Sequence, residues 1–171
     1  MKNSPVNEEP QHRFTQIVNE YLDRSQNCAQ TSFAVLKDEF DLDGREILKA
    51  LTPFPGIALR GETCGAVTGC LMAIGSIYGR ENLDDWKGYL ASLPPARRFC
   101  RRFQEAQGST NCADLLEAKL GYRYDLANRI DALKYAAAGG KRTCSKIITS
   151  AVEIAAEIIE SKRSNEKGRS G

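Results

Sequence analysis

The segment from residue 144 to about 160 carries the longest regular apolar pattern in the chain, and it restricts the fold more than any other feature. Its apolar side chains recur at the three- and four-residue spacing of one helix face. They are Ile147, Ile148, Ala151, Ile154, Ala155, Ile158 and Ile159. A helix with such a stripe must bury it against neighbouring elements. Because no stretch alternates in the way that a half-buried strand does, the sequence predicts an all-α fold.

The same spacing predicts helices over most of the remaining chain. We expect them at residues 12–24, 28–40, 45–51, 65–78, 83–93, 96–107, 112–120 and 126–138. Pro94 and Pro95 predict a break between two of these helices, because proline donates no backbone hydrogen bond. Gly79 and the pair Gly139–Gly140 predict helix ends.

Length and composition indicate one soluble domain. The 171 residues are 42% hydrophobic and 27% charged, which is enough for one sizeable core. We expect a disordered arm at residues 1–10, a helical domain at 11–160 and a disordered tail at 161–171. The net charge of +2 does not indicate binding to nucleic acid or to a membrane surface. The N-terminus lacks the apolar core of a signal peptide, and no apolar run is long enough to span a bilayer. The expected location is therefore the cytoplasm.

Six cysteines and a single histidine, His12, narrow the chemistry further. The cysteines are Cys28, Cys64, Cys70, Cys100, Cys112 and Cys144. In a reducing compartment this number indicates metal binding or thiol chemistry rather than a disulfide framework. One histidine argues against a mixed Cys/His zinc site. The sequence contains no Ser/His/Asp set and no phosphate-binding loop, so it predicts no other catalytic residues.

Four of the cysteines share a local setting. Each follows a residue that caps helices well, in the pairs Asn27-Cys28, Thr63-Cys64, Asn111-Cys112 and Thr143-Cys144. The setting predicts that each of these cysteines lies at a helix N-terminus. The free N–H groups and partial positive charge there stabilise a thiolate, which is the form that binds metal or attacks a disulfide.

Between consecutive cysteines of these four, the chain is long enough to form one helix along the bundle and one segment that returns. In an antiparallel bundle such a chain returns successive helix starts to the same end. The four thiols are therefore expected to meet. Cys112 and Cys144 also lie on the apolar stripes of their helices, so their thiols face inward. Thiols that bind a buried centre would face inward, and inert core cysteines would also face inward.

Glycines surround Cys64 in the stretch GETCGAVTGC. Gly61, Gly65 and Gly69 recur every four residues, and the last two form a smooth ridge on the predicted helix. A neighbouring helix or an inorganic cluster can approach the backbone closely along such a ridge. For the ridge alone, close helix packing is the favoured interpretation.

Together these elements resemble the C-GCAxxG-C-C family of redox-active proteins, which is named for its cysteines. The matching elements are Cys28, GETCGAVTG with Cys64, Asn111-Cys112 and Thr143-Cys144. The match extends from about residue 12 to 160. One departure is that Gly65 follows Cys64, where the family motif has glycine before cysteine. The resemblance implies an all-α redox domain, similar to one in split-Soret cytochromes whose cysteines hold an iron–sulfur centre. This chain has no CxxCH haem motif, so no haem function is carried over.

Four interpretations of Cys28, Cys64, Cys112 and Cys144 follow. The favoured one is an iron–sulfur cluster of undetermined type held by four thiolates, for electron transfer or redox sensing. The second is a metal-free thiol–disulfide oxidoreductase or redox switch in which Cys64 attacks. A zinc-stabilised interaction module is the third, and inert core cysteines are the fourth.

Other residues receive weaker predictions. Cys70 and Cys100 are expected to be ordinary core or surface cysteines, and Glu62 an exposed loop residue beside Cys64. One basic helix face is a candidate docking site for an acidic redox partner protein. It consists of Arg97, Arg98, Arg101 and Arg102. Its default interpretation is a solvated surface. Homo-oligomerisation stays open.

Overall fold

The computed structural model describes residues 13–169, with side chains through residue 164. Over this range it confirms the predicted all-α fold: the chain forms a single helical domain without a β-strand. The helices are α1 (Thr15–Ser25), α2 (Cys28–Phe40), α3 (Arg45–Ala50), α4 (Gly56–Leu59), α5 (Gly65–Tyr78), α6 (Trp86–Gln107), α7 (Cys112–Leu120), α8 (Arg129–Ala137) and α9 (Gly140–Arg169).

The core lies between α2, α5 and α9. Helix α5 packs against α2, α6 and α9, and α9 also contacts α1, α2, α6, α7 and α8. Every residue of the predicted apolar stripe of α9 is buried. The other large core side chains include Phe33 and Leu36 from α2, Ile74 from α5, and Phe99 and Phe103 from α6. The long apolar helix is thus enclosed by its neighbours, as its pattern requires.

Helix α6 corrects one prediction. The two helices expected at 83–93 and 96–107 are a single helix that passes through Pro94 and Pro95. The prolines leave the carbonyls of residues 90 and 91 without their usual helical donors. Leu90 and Ala91 are exposed, so water can bond to those carbonyls. Pro95 is buried.

Helix α9 corrects a second prediction, because it begins at Gly140 and not at Cys144. Gly139 takes a left-handed conformation, with φ of 78°, which ends the turn after α8. The backbone N–H of Thr143 bonds to the carbonyl of Gly139 at 3.1 Å, so Thr143 lies inside the helix and does not cap it. Cys144 therefore lies in the second turn of α9, and only three of the four cysteines are at helix starts.

Helix α9 also continues through residues that were predicted as a tail. Lys162 donates to the carbonyl of Ile77 at 2.7 Å, and Arg163 donates to the carbonyl of Phe40 at 2.6 Å. Both carbonyls belong to the last turns of neighbouring helices, where cationic donors are favourable. These bonds explain the longer helix. The predicted arm at 1–10 and the last two residues lie outside the described range.

None of the helices between residues 13 and 169 combines the length and apolar character that crossing a bilayer requires.

Candidate cysteine centre

Cys28 is the first residue of α2, and its position depends on the residue before it. The side chain of Asn27 accepts a hydrogen bond from the backbone N–H of Gln30 at 3.0 Å. The same side chain donates to the carbonyl of Thr52 at 2.9 Å. Asn27 thus caps α2, as predicted, and also ties the start of that helix to the segment after α3.

Cys64 and Cys112 are brought together by two short extended segments. The backbone N–H of Cys64 bonds to the carbonyl of Thr110 at 2.8 Å, and that of Cys112 bonds to the carbonyl of Glu62 at 2.7 Å. Thr63 and Asn111 pair across this antiparallel bridge. Thr63 therefore does not act as a cap, and Cys64 itself lies at the N-cap position of α5. Neither segment has a periodic pattern that could predict the pairing.

Asn111 acts on the other side of the bridge as a true cap. Its side chain accepts from the backbone N–H groups of Ala113 and Asp114 at 3.1 and 3.3 Å. Helix α7 therefore starts at Cys112. The turn α4 lies over this cysteine: a Cβ at Gly56 would be 3.5 Å from the Cys112 sulfur. Gly56 has φ of 53°, and the next three residues also have positive φ, which is costly for side-chain-bearing residues. Backbone strain of this kind is typical of functional sites.

Cys144 enters from α9 and contacts Tyr135. The Tyr135 hydroxyl donates to the Cys144 Sγ at 3.0 Å. The Tyr135 ring covers the first turn of α9, where a Cβ at Gly140 would overlap it. Sequence reasoning missed Tyr135. The signal for it in the sequence was a short helix followed by two glycines and a second helix, because this arrangement folds residue 135 back onto residue 144.

A cavity of about 130 Å³ lies where three of the four cysteines meet. Cys28, Cys112 and Cys144 line it, together with Tyr135, Tyr124 and surrounding apolar residues. These three cysteines are partly exposed, whereas Cys64 is buried with 6% of its surface exposed. The structure therefore brings together four residues that lie far apart in sequence. Three line the cavity, and Cys64 is close enough to interact electrostatically with each of them.

The environment of the four thiols opposes a negative charge. Burial, with a smaller effect from the neighbouring Cys144 and Cys112, raises the pKa of Cys28 to about 12. Burial and Cys144 raise the pKa of Cys112 to about 12 as well. Burial also raises the pKa of Cys64 and of Cys144. Backbone N–H groups act in the opposite direction at Cys28 and Cys64, but burial outweighs them. A bound cation would reverse this balance.

The three glycines around Cys64 have different surroundings. A Cβ at Gly65 would overlap the Cys28 sulfur, so this glycine lets that sulfur lie against the start of α5. Gly61 has φ of 76°, and a Cβ there would lie 2.9 Å from the Cβ of Ala113. Gly69 instead faces the backbone of Ala29 in α2. Gly61 and Gly65 therefore adjoin the cysteine cavity or its walls, while Gly69 serves helix packing.

The remaining candidates lie away from the cavity. Cys70 is fully buried in the core. Cys100 is partly buried against the core from α6. Glu62 pairs with Arg60 at 2.8 Å on the surface.

The arginine face of α6 is remote from the cysteine cavity. Arg102 pairs with Glu157 at 2.5 Å, and Arg98 contacts Ser161 at 3.4 Å. Glu157 is 13 residues after Cys144 on the same helix, which corresponds to about 20 Å of helix rise. Arg97 and Arg101, on the same helix, are exposed. The face formed by Arg97, Arg98, Arg101 and Arg102 is therefore poorly placed for a partner that exchanges electrons at the cavity.

The residues present do not form a preorganised site for one metal ion. Within residues 13–164, no three Cys, His, Asp or Glu side chains are grouped closely enough to hold a single ion. A polynuclear cluster separates its ligand sulfurs further, since its inorganic atoms lie between them. Cys28, Cys112 and Cys144 line the cavity and Cys64 lies beside it, so the site offers four thiols to a group larger than one ion.

Comparison with known proteins gives a family match and one distant relative. A family model described as "Putative redox-active protein (C_GCAxxG_C_C)" matches residues 26–158. A protein from Archaeoglobus fulgidus, described only as "Uncharacterized protein", is 27% identical over 153 residues, which cover 84% of this chain and 91% of the relative. No solved structure matches the chain significantly.

Proposed function

Because the chain belongs to the C_GCAxxG_C_C family of redox-active proteins, we propose that Cys28, Cys64, Cys112 and Cys144 hold an iron–sulfur cluster used in electron transfer or redox sensing. The observation that carries the proposal is that four separate segments bring these cysteines together: Cys28, Cys112 and Cys144 line one cavity, and Cys64 lies close enough to interact with all three. Thiolates are the usual ligands of such clusters. When bound, the cluster supplies a centre that accepts and releases one electron.

The protein's own residues hold and shield this site. The paired segments at 61–64 and 110–113 keep Cys64 beside Cys112. Tyr135 donates a hydrogen bond to Cys144, and hydrogen bonds to ligand sulfurs tune the potential of a cluster. The turn α4 and the apolar side chains around the cavity limit access of water. These contacts fit a centre that gains or loses an electron while its ligands stay in place.

A metal-free thiol switch receives less support. Its attacking residue would be Cys64, which is buried and whose pKa burial raises above that of an ordinary thiol. Only a small fraction of such a thiol is ionised near neutral pH, and the thiolate is the attacking species.

The six cysteines are free thiols, which fits a reducing compartment. We therefore propose that the protein is located in the cytoplasm.

The test is purification without oxygen, followed by the visible spectrum and by iron, sulfide and zinc analysis. The proposal predicts broad visible absorption with iron and sulfide in stoichiometric amounts. Replacing Cys112→Ser should abolish the colour and the iron, whereas Cys100→Ser, at a cysteine outside the cavity, should retain both. A colourless, metal-free protein whose thiols oxidise reversibly in pairs would favour the thiol switch instead.

A further inference from the structure

The first half of α6 is poorly covered by the rest of the chain. None of residues 81–94 is buried, and the buried residues of this helix, Pro95, Phe99 and Phe103, all belong to its second half. A short helical segment with little burial is only marginally stable in water. A partner surface would therefore stabilise this half of α6.

The same half of α6 carries a regular apolar stripe. Large apolar side chains recur at the three-, four- and seven-residue spacing of one helix face. They are Trp86, Tyr89, Leu90 and Leu93. Trp86 is 62% exposed and Leu90 is 48% exposed. The rings of Trp86 and Tyr89 contact each other, with centroids 5.1 Å apart. A cluster of large exposed apolar side chains marks an interaction site.

The α6 stripe lies on the side of the helix that faces away from the core. Leu90 and Phe99 are nine residues apart, which is about two and a half helical turns, so they lie on opposite sides of α6. Arg97 and Arg101 follow Leu90 by seven and eleven residues, or about two and three turns, so they continue the stripe on its own side.

The charges along this side of α6 differ between its two ends. Arg98 and Arg102 lie toward α9, which they contact. Without them, the side and the connection before it carry four acidic and four basic residues, and therefore no net charge. The acidic residues are Glu81, Asp84, Asp85 and Glu105. The basic residues are Arg80, Lys87, Arg97 and Arg101.

Three of the four acidic residues precede the stripe, and Arg80 is the one basic residue among them. Arg97 and Arg101 follow the stripe, with Glu105 as the partner of Arg101 at 3.9 Å. The stripe thus has an acidic start and a basic end.

A second copy of the chain complements this arrangement. In an antiparallel contact about a two-fold axis, the middle of the stripe, between Tyr89 and Leu90, meets the same point of the other copy. Asp84 is five residues before Tyr89, and Arg97 is seven residues after Leu90. The acidic start of each copy therefore lies opposite the basic end of the other, and the apolar side chains meet between them.

Other occupants complement only part of this surface. A protein of one charge sign would match one end of the stripe and oppose the other. A nucleic acid or an anionic membrane surface would be repelled by the acidic start. We therefore propose that the outer side of the first half of α6 is the interface of a homodimer, in which two α6 helices pair antiparallel. This inference is independent of the proposed redox centre.

The experiment measures self-association of the full chain under reducing conditions, which prevent intermolecular disulfides. Sedimentation equilibrium at concentrations up to about 1 mM gives a dissociation constant of micromolar order. Trp86 is the only tryptophan in the chain, so tryptophan fluorescence reports directly on the interface. Leu90→Glu is the disruptive variant. Leu133→Glu is the matched control, because Leu133 is 72% exposed on a different helix, α8.

The unchanged protein should become dimeric as its concentration rises, and the emission maximum of Trp86 should move to shorter wavelength as water is excluded. Leu90→Glu should raise the dissociation constant about tenfold or more, because a two-fold contact contains the substitution twice. Leu133→Glu should leave it unchanged. Circular dichroism checks that Leu90→Glu retains the helical content of the unchanged protein.

Charge reversal tests the antiparallel orientation. Asp84→Arg and Arg97→Glu should each raise the dissociation constant several-fold, because each places like charges opposite one another. The protein with both substitutions should recover most of the lost affinity, since opposite charges then face each other again.

Several results would overturn the inference. A protein that stays monomeric at every concentration would do so, as would a dimer that Leu90→Glu leaves intact. A dimer that Leu133→Glu disrupts instead would place the contact on α8. Binding of a monomeric protein to anionic vesicles, abolished by Leu90→Glu, would assign the stripe to a membrane surface. A double charge variant that associates no better than the single variants would contradict the antiparallel pairing.

Discussion

Among the single residues of the site, Cys144 has the most specific surroundings. It is the one cysteine of the four that receives a side-chain hydroxyl, from Tyr135, among the contacts described. Tyr135 reaches it only because residue 140 is glycine, since a Cβ there would overlap the ring. The bond favours a charged Cys144, whereas burial disfavours it and prevails, so the pKa of the thiol is raised. Tyr135 is therefore a positioning residue for this sulfur.

Replacing Tyr135→Phe should lower the reduction potential of the bound centre. A hydrogen bond to a sulfur stabilises the more negative, reduced state, and its removal therefore favours the oxidised state. A bond worth about 1 kcal/mol corresponds to about 40 mV for a one-electron couple. The measurement is a redox titration followed by visible absorption. Tyr122→Phe is the control, because its ring is exposed and does not line the cavity. An unchanged reduction potential in Tyr135→Phe would show that Tyr135 does not tune the potential.

Among the helices, α2 and α5 share the most extensive contact, and Cys28 and Cys64 lie at their N-terminal ends. Gly65 accommodates the Cys28 sulfur, and Gly69 accommodates the Ala29 carbonyl one turn later. Backbones that approach this closely leave no space for a side chain on the ridge. The small residues therefore set the distance between the two helices. They also set the distance between the start of α5, with Cys64, and Cys28.

Replacing each of two glycines of α5 with alanine should change the stability of the protein in opposite directions. A Cβ at Gly69 would overlap the backbone of Ala29, which cannot yield as a flexible side chain can. Gly69→Ala should therefore reduce the free energy of unfolding by roughly 1–3 kcal/mol. A Cβ at Gly75 meets nothing within 4 Å, so Gly75→Ala should raise it by up to about 1 kcal/mol through helix propensity. Urea unfolding measures both. A stability gain in Gly69→Ala would show that α2 and α5 are more loosely packed than the structure has them.

At the scale of the whole molecule, the cysteines connect segments that are distant along the chain. Cys28 belongs to α2, Cys64 precedes α5, Cys112 begins α7 and Cys144 lies in α9. Helices α7 and α8 contribute few residues to the core compared with α2, α5 and α9. A group bound by all four thiols would tie α7 and the connection through α8 to the main bundle. Binding of that group would thereby stabilise the fold.

Removal of the bound metal should lower the thermal midpoint. A group present at 100 times its dissociation constant stabilises the folded state by about 2.7 kcal/mol, which corresponds to roughly 5–10 °C for a chain of this size. Calorimetry before and after treatment with a chelator, without oxygen, measures the change. The Cys112→Ser protein should begin near the lower midpoint and show no further drop. Equal midpoints before and after complete iron removal would contradict a stabilising role for the centre.

Local signals predicted several elements to the residue. Asn27 and Asn111 cap their helices with their own side chains, and Gly79 ends α5. Helices α2, α5 and α7 therefore have the predicted bounds, because caps and glycine stops act within a few residues of the chain. Two of the failures lie where distant groups decide. Helix α6 passes through Pro94 and Pro95 since its first half is exposed, and α9 starts early because Gly140 makes room for Tyr135.

The sequence by itself determined the all-α class, the main core stripe, the starts of α2 and α7, and the four cysteines as the residues to examine. Helical periodicity and capping depend on neighbours in sequence, so they can be read without coordinates. Helix lengths also predicted that the four cysteines meet, and the tertiary structure decided the form of that meeting, with Cys28, Cys112 and Cys144 lining one cavity. The structure alone decided that Thr63 pairs with Asn111 instead of capping a helix, and that Tyr135 bonds to Cys144. It also separated the arginine face of α6 from the cavity and left the first half of that helix exposed. These relations join residues that are distant along the chain, and only the packing of whole helices determines the distances between them.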